Sequence, residues 1–200
     1  LLFGTFLGWI NGYVTVKTGV HSFIVTLATM SIYFGFMTVL TQAQSFKNLP
    51  DAFTDIGSMK LFYKYVSPLL LLSFFTGCIL FYLFNFTDIG RKLIAAGANP
   101  SAAELSGISV NRMFVYCHML SGFLAAVAGI MVTMRIGAAI PSIAGHLGFD
   151  WLLPAFLAPV LGGTLLSGGK ITVFGTILGA VLVSLITNGL LLLDVGIFWV

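Results

Sequence analysis

The run from Gly163 to Lys170 contains the residue types of a phosphate-binding loop, in which glycine amides and a lysine hold the phosphates of a nucleotide. Its spacing does not fit that chemistry. The first glycine of the pattern falls on Thr164, and the hydroxyl residue that would ligate magnesium after the lysine is replaced by Ile171. We therefore expect a glycine-rich turn between helices here, and we expect this chain to bind no cofactor itself.

Other reactive side chains are too scattered to form a catalytic or metal site. His21, His118 and His146 have no second ligand at helical spacing, so the sequence predicts no metal site. The acidic residues border the apolar runs or lie outside them, which argues against a Ser-His-Asp arrangement and indicates that the chain is not an enzyme. Proton- or sodium-driven carriers commonly place ionisable groups inside the membrane, so their absence favours an external energy source or a passive channel.

Neutral polar side chains do occur within the apolar runs. Hydroxyl and amide groups there can line a path for a neutral, hydroxyl-rich solute without trapping it as a charge would. Each can equally serve as a hydrogen bond to its own helix or to a neighbouring helix. The residues that we assign to a translocation path on this basis are Thr26, Thr29, Tyr33 and Asn188.

The elements that carry these residues are predicted to be membrane helices. Hydrophobic residues make up 58% of the chain, charged residues make up 8%, and the mean hydropathy is +1.07, which indicates an integral membrane protein. Unbroken apolar runs of about 20 residues predict helices rather than barrel strands. The prediction is an all-α, polytopic transmembrane bundle with spans at residues 1–16, 23–41, 66–86, 113–134, 151–166 and 171–193.

The fifth run contains Pro154 and Pro159 and ends in glycines, so it either crosses the membrane or re-enters it as a broken helix. We expect one permease domain over residues 1–200. Because Leu1 opens inside an apolar run, we also expect a fragment with further spans beyond both ends.

Glycines at four-residue intervals predict close helix packing. Gly4, Gly8 and Gly12 form one such series, and Gly175 and Gly179 form another. Small residues at this spacing let helix backbones approach in lipid, where no hydrophobic force drives helices together. Packing within the bundle is favoured over a dedicated dimer face.

Basic residues give the orientation. The loops at residues 42–65 and 87–112 each carry three, so their number alone does not decide the side. We place residues 87–112 in the cytoplasm because Arg91 and Lys92 form a pair beside one span end and Arg112 abuts the next.

A short helix is predicted between the spans at 66–86 and 113–134. Asn99 suits a helix N-cap, Pro100 the first helical position and Gly107 a left-handed stop. A helix of about two turns does not persist in water without tertiary support or a partner, so the sequence predicts a cytoplasmic element that transmits motion to a soluble partner. The segment consists of Asn99, Pro100, Ser101, Ala102, Ala103, Glu104, Leu105, Ser106 and Gly107.

This segment is one of four motifs, in the same order and spacing, that resemble the permease subunit of ribose-type, simple-sugar bacterial ABC importers. The family lies in the branched-chain amino acid and sugar permease superfamily. The other motifs are FIVTLATM at residues 23–30, GGT at 162–164, and GG at 168–169 followed by GT at 175–176 and GA at 179–180.

The resemblance implies a multi-pass permease of the bacterial inner membrane that moves a small neutral solute, most simply a monosaccharide. It also implies two permease copies, an ABC ATPase subunit that hydrolyses ATP, and a periplasmic solute-binding protein, with membrane lipid around the spans and no nucleic acid. In that family the helix from Pro100 to Ser106 corresponds to the coupling helix. The alternatives are an ion- or proton-coupled carrier or channel without an ATPase, and a membrane partner without transport; neither needs a docking helix.

Overall fold

The computed structural model of the chain describes residues 1–47, 49–58, 67–141 and 148–193. These residues form nine α-helices of six residues or more, a helical turn at 148–150, and one isolated antiparallel bridge between Phe46 and Ala139. The predicted all-α fold is confirmed. The helices are α1 (Leu2–Thr18), α2 (Ser22–Thr41), α3 (Asp51–Ser58), α4 (Pro68–Phe86), α5 (Asp88–Ala98), α6 (Pro100–Leu105), α7 (Val110–Ile136), α8 (Leu152–Leu161) and α9 (Val173–Leu192).

Four helices are long and apolar enough to cross a membrane, namely α2, α4, α7 and α9. They match four of the predicted spans to within three residues at each end. The fifth predicted span was too long: α8 ends at Leu161, because Gly162 and Gly163 begin a turn in which Gly163 has a φ of +81°. A left-handed backbone of this kind ends a helix and favours glycine.

The described residues group into two compact units. One comprises Leu1–Phe75 with Ala103–Gly145, and the other comprises Thr76–Ala102 with His146–Val200. Two of the three boundaries between them fall within α4 and α6, and the third lies outside the described residues. A single permease domain over residues 1–200 stays a prediction.

In the first unit, α1 and α7 pack antiparallel through backbone contact. Gly4 lies against Gly122, while Gly8 lies against the backbone of His118. A Cβ added at Gly12 would lie 2.8 Å from the Cα of Val115, inside normal contact distance. The predicted glycine series on α1 thus faces α7 within one chain.

In the second unit, α8 and α9 form an antiparallel hairpin through the other glycine series. A Cβ added at Gly179 would lie 3.0 Å from the carbonyl carbon of Ala158. One added at Gly175 would lie 2.9 Å from the carbonyl carbon of Gly162. The two helices therefore approach closely at the end joined by residues 162–172, which we call the glycine turn.

The glycine turn lies on the same membrane side as the loop between α4 and α7. A Cβ added at Gly168 would lie 2.8 Å from the carbonyl carbon of Gly97, which is in that loop. The 27 residues of α7 extend about 40 Å, more than the roughly 30 Å of a hydrocarbon core, so α7 leads to the opposite side. The ten residues of α8 extend only about 15 Å, less than the hydrocarbon core, so whether the fifth run crosses the membrane or re-enters it stays a prediction.

This topology predicts the accessibility of three exposed serines to a membrane-impermeant thiol reagent. In a variant lacking Cys78 and Cys117, Ser45→Cys should be labelled in intact cells, because the loop that follows α2 is predicted to lie outside. Ser101→Cys and Ser167→Cys should be labelled only after the membrane is permeabilised, because residues 87–112 are predicted to be cytoplasmic and Gly168 contacts Gly97 within them. Labelling of Ser167→Cys but not Ser101→Cys in intact cells would contradict a shared side for α6 and the glycine turn, and a complete reversal would contradict the predicted orientation.

Candidate functional site

The loop between α4 and α7 begins with a well-capped helix. The Thr87 hydroxyl donates to the carbonyl of Leu83 at 2.6 Å and accepts a hydrogen bond from the amide of Gly90 at 3.1 Å, so it links the end of α4 to the start of α5. Gly90 is buried, and a Cβ there would lie 2.6 Å from the Cα of Phe84. The start of α5 is therefore fixed to α4 with little space between the backbones.

A charge cluster occupies the first turn of α5. Asp88 lies 2.6 Å from Lys92 and 3.8 Å from Arg91, and a carboxylate at this position also suits the helix dipole. The hydrogen bond from Lys92, and then its charge, lower the pKa of Asp88 below the usual value. Because the folded state lowers this pKa, the interaction favours folding above the unfolded pKa and is lost as the pH falls through the folded value. The exposed position makes its contribution small.

Helix α6 is capped at both ends. The Asn99 side-chain oxygen accepts a hydrogen bond from the amide of Ala102 at 3.1 Å, and Pro100 is the first helical residue. At the other end Gly107 has a φ of +79°, and the amide of Ile108 donates to the carbonyl of Ala103 at 2.9 Å. With the amide of Gly107 donating to the carbonyl of Glu104 at 2.9 Å, this is a complete Schellman motif.

The surface of α6 is mostly exposed. Ala103 is 4% exposed, whereas Leu105 is 92% exposed beside the exposed Glu104. A helix of six residues with an exposed leucine does not hide its own apolar surface. Its sequence and caps set its conformation, and Ser101, Ala102, Glu104 and Leu105 are all exposed.

The glycine turn is closed by three threonine hydroxyls. Thr172 donates to the carbonyl of Gly162 at 2.6 Å and Thr176 donates to the carbonyl of Thr172 at 2.8 Å. Thr164 accepts from the amide of Thr172 at 3.2 Å, and its hydroxyl lies 3.1 Å from that of Thr172. The turn is thus held across both of its ends, at the point where α8 and α9 approach most closely.

A groove of about 530 Å³ lies among α1, α2 and α7, all in the first unit, and its mostly apolar lining includes five polar side chains. The Tyr33 hydroxyl donates to the side-chain oxygen of Asn11 at 3.1 Å, joining α2 to α1. His118 on α7 lines the groove, and its Nε2 lies 2.9 Å from the hydroxyl of Ser22. The groove's polar lining consists of Asn11, Thr26, Tyr33, His118 and Ser121.

Two of the four residues assigned to a path lie on this groove, Thr26 and Tyr33. Thr29 is not among its lining residues and donates to the carbonyls of Val25 and Thr26 at 3.0 and 3.1 Å. Asn188 belongs to the second unit and donates to the carbonyl of Ser184 on its own helix at 2.8 Å. A path through all four residues stays a prediction.

Sequence reasoning did not place Asn11, His118 and Ser121 in one site. All three lie within apolar runs, but Asn11 is on α1, whereas His118 and Ser121 are on α7, more than 100 residues later in the chain. The glycine series of α1 is the signal that could have found this site. Gly8 lies against His118, and this contact places Asn11, three residues later on α1, near the same part of α7. Among the described residues no three His, Cys, Asp or Glu side chains come together as metal ligands.

The fold and these sites together define a class of protein. It is a polytopic helical membrane protein with an exposed, capped helix between two spans and a groove among its helices that carries five polar side chains. The chain belongs to the family described as the branched-chain amino acid transport system permease component, whose family model matches residues 1–197. The resemblance seen in the motifs is confirmed, and members of this family are transporter components rather than enzymes.

Curated relatives include import permeases for simple sugars. The chain is 38% identical to the ribose import permease protein of Haemophilus influenzae, 33% to the D-allose transport system permease protein of Escherichia coli, and 32% to the galactose/methyl galactoside import permease protein of Haemophilus influenzae. The alignments cover 98–100% of the chain and 59–61% of these relatives. The chain therefore spans about three fifths of their length. No solved structure matches it.

Proposed function

We propose that the chain is the membrane-spanning permease subunit of an ATP-driven ABC importer in the bacterial inner membrane, and that it translocates a monosaccharide. The observation that carries this proposal is helix α6, capped at both ends and exposed between α5 and the span α7, in a chain of the permease family. A channel or an ion-coupled carrier has no need of such a preformed docking element.

The partners follow from the geometry and from the relatives. The exposed face of α6 suits a groove on an ABC ATPase subunit, and ATP hydrolysis belongs to that partner. The relatives are named as import permeases, which supports delivery of the solute by a periplasmic solute-binding protein. A second permease copy completes the assembly.

The solute is a small, neutral, hydroxyl-rich molecule. The relatives are named for ribose, allose and galactose, and the groove in this chain presents an amide, hydroxyls and an imidazole without any carboxylate or lysine. Uncharged donors and acceptors bind sugar hydroxyls and release them, whereas a buried charge would hold a polar solute too strongly. The groove on α1, α2 and α7 is therefore the stretch of the path that we assign within this chain.

Dependence on the ATPase is the first test. In proteoliposomes supplied with binding protein and radiolabelled ribose, galactose or allose, uptake should require both ATP and the ABC ATPase subunit. The isolated permease should bind no nucleotide, and Lys170→Ala should leave nucleotide affinity of the complex unchanged, because the glycine turn lacks the phosphate-loop spacing. Uptake that survives removal of the ATPase but collapses with the proton gradient would favour the carrier.

The cap of α6 gives a second prediction. Gly107→Val places a β-branched residue in a left-handed conformation, at a cost of about 1–2 kcal/mol or more, and should lower solute-stimulated ATP hydrolysis by about tenfold in an assembled complex. Gly19→Val is the matched control, since Gly19 is the left-handed stop of α1, at φ +67°, and its Cβ position is equally open. If both variants lose stimulation equally, the effect belongs to backbone strain and not to α6.

The groove gives a third prediction. Asn11→Ala removes the acceptor for Tyr33 and an amide that faces the groove, and should lower the maximal uptake rate by about tenfold, the effect of losing a hydrogen bond worth 1–2 kcal/mol. Asn85→Ala is the control, because the Asn85 amide donates only to Phe81 of its own helix among the contacts described. Unchanged uptake by Asn11→Ala at saturating binding protein would place the path elsewhere.

A further inference from the structure

The end of α5 meets the glycine turn directly, one residue before the N-cap of α6. A Cβ added at Gly97 would lie 3.4 Å from the amide nitrogen of Gly169 and 3.6 Å from the Cα of Gly168. One added at Gly169 would lie 3.0 Å from the Cβ of Ala98. The contact is therefore made by backbone and a single methyl group, with no long side chain between the two segments.

Both sides of this contact are held firmly. On one side α5 is fixed to α4 at Gly90 and buries Leu93 and Ala96 along the same face, leading to Gly97. On the other side the hydroxyls of Thr164, Thr172 and Thr176 close the glycine turn. A close-packed backbone contact cannot absorb a displacement by changing rotamers, so the two segments move together or separate.

The glycines of the turn allow its left-handed backbone, and two of them also allow the close contact with α5. Gly163, Gly168 and Gly169 all have positive φ, at +81°, +91° and +84°. Only Gly168 and Gly169 have α5 next to their Cβ positions, whereas nothing lies within 4 Å of a Cβ added at Gly163. Turn geometry alone explains Gly163, but it does not explain the fit of Gly168 against Gly97.

We propose that the Gly168–Gly169 turn is a positioning element of the coupling device, which transmits displacement of α6 through the end of α5 to the α8–α9 hairpin. Only Asn99 separates α5 from α6, and its side chain is engaged in capping α6, so the joint between the two helices has little slack. The glycine turn joins α8 to α9 directly. Motion imposed on α6 by an ATPase therefore reaches α8 and the span α9 through one contact. This inference rests on the proposed function.

The matched pair Gly168→Ala and Gly163→Ala separates contact from conformation. Both variants place alanine at a positive φ in the same turn, but only the first puts a methyl group against Gly97. In the complete transporter, Gly168→Ala should keep assembly with the ATPase and basal ATP hydrolysis, and should lose about tenfold in solute-stimulated hydrolysis and uptake, because the added methyl group clashes with the backbone of Gly97. Gly163→Ala should stay within about twofold of the unmodified protein.

A reversible tether tests the contact without a clash. In a background lacking Cys78 and Cys117, Ala98→Cys with Gly169→Cys brings two Cβ atoms to 3.0 Å, within about half an ångström of disulfide geometry. The oxidised transporter should retain the ATP-driven uptake of the same reduced protein, because the two segments move together. The oxidised and reduced states of one protein are compared, so any strain caused by cysteine at Gly169 is the same in both. This test therefore still decides the question if Gly168→Ala fails to assemble. Ala98→Cys alone is the control for oxidation.

The outcomes separate this inference from the proposed function. Absence of ATP-driven uptake by the unmodified complex would overturn the proposed function, and this inference with it. Two results with an active unmodified complex would overturn the positioning role alone. One is equal stimulation of ATP hydrolysis in Gly168→Ala and Gly163→Ala. The other is loss of uptake when the cysteine pair is oxidised, with recovery in a reductant.

Discussion

Close backbone approach at glycine is the interaction on which the rest of this structure depends. In lipid the helices gain nothing from burying apolar surface, so they associate where small residues let backbones touch. Gly8 on α1 and Gly179 on α9 are buried in a chain whose large apolar side chains are widely exposed. These contacts fix the register of α1 on α7 and of α8 on α9, and that register places Asn11 on the same groove as His118.

The polar side chains in the spans form hydrogen bonds outside the glycine contacts. Most span hydroxyls donate to their own helix, as Thr38 does to the carbonyl of Phe34 at 2.8 Å, which satisfies them without a partner. The exceptions cross between helices: Tyr33 reaches Asn11, and Ser22 reaches His118. Such cross-helix bonds occur around the groove in the first unit. In the second unit the threonines of the glycine turn bond mainly to each other and to nearby backbone.

Rigidity is the property shared by the two ends of the proposed coupling device. A Schellman motif ends α6, a glycine contact joins the end of α5 to the glycine turn, and a hydroxyl cluster closes that turn. None of these contacts depends on a long, mobile side chain. A displacement of α6 would therefore reach α8 and α9 with little loss to flexible segments between them.

The sequence by itself determined the fold class, four spans and both caps of α6, because hydropathy, Asn99, Pro100 and Gly107 act through local backbone physics. It did not determine where the glycine turn lies, because only the contact of Gly168 with Gly97 places that turn beside the end of α5. Nor did it join Asn11 to Tyr33 and His118. Those residues meet through helix register, and register is set by contacts between segments far apart in the chain, which only the tertiary structure decided.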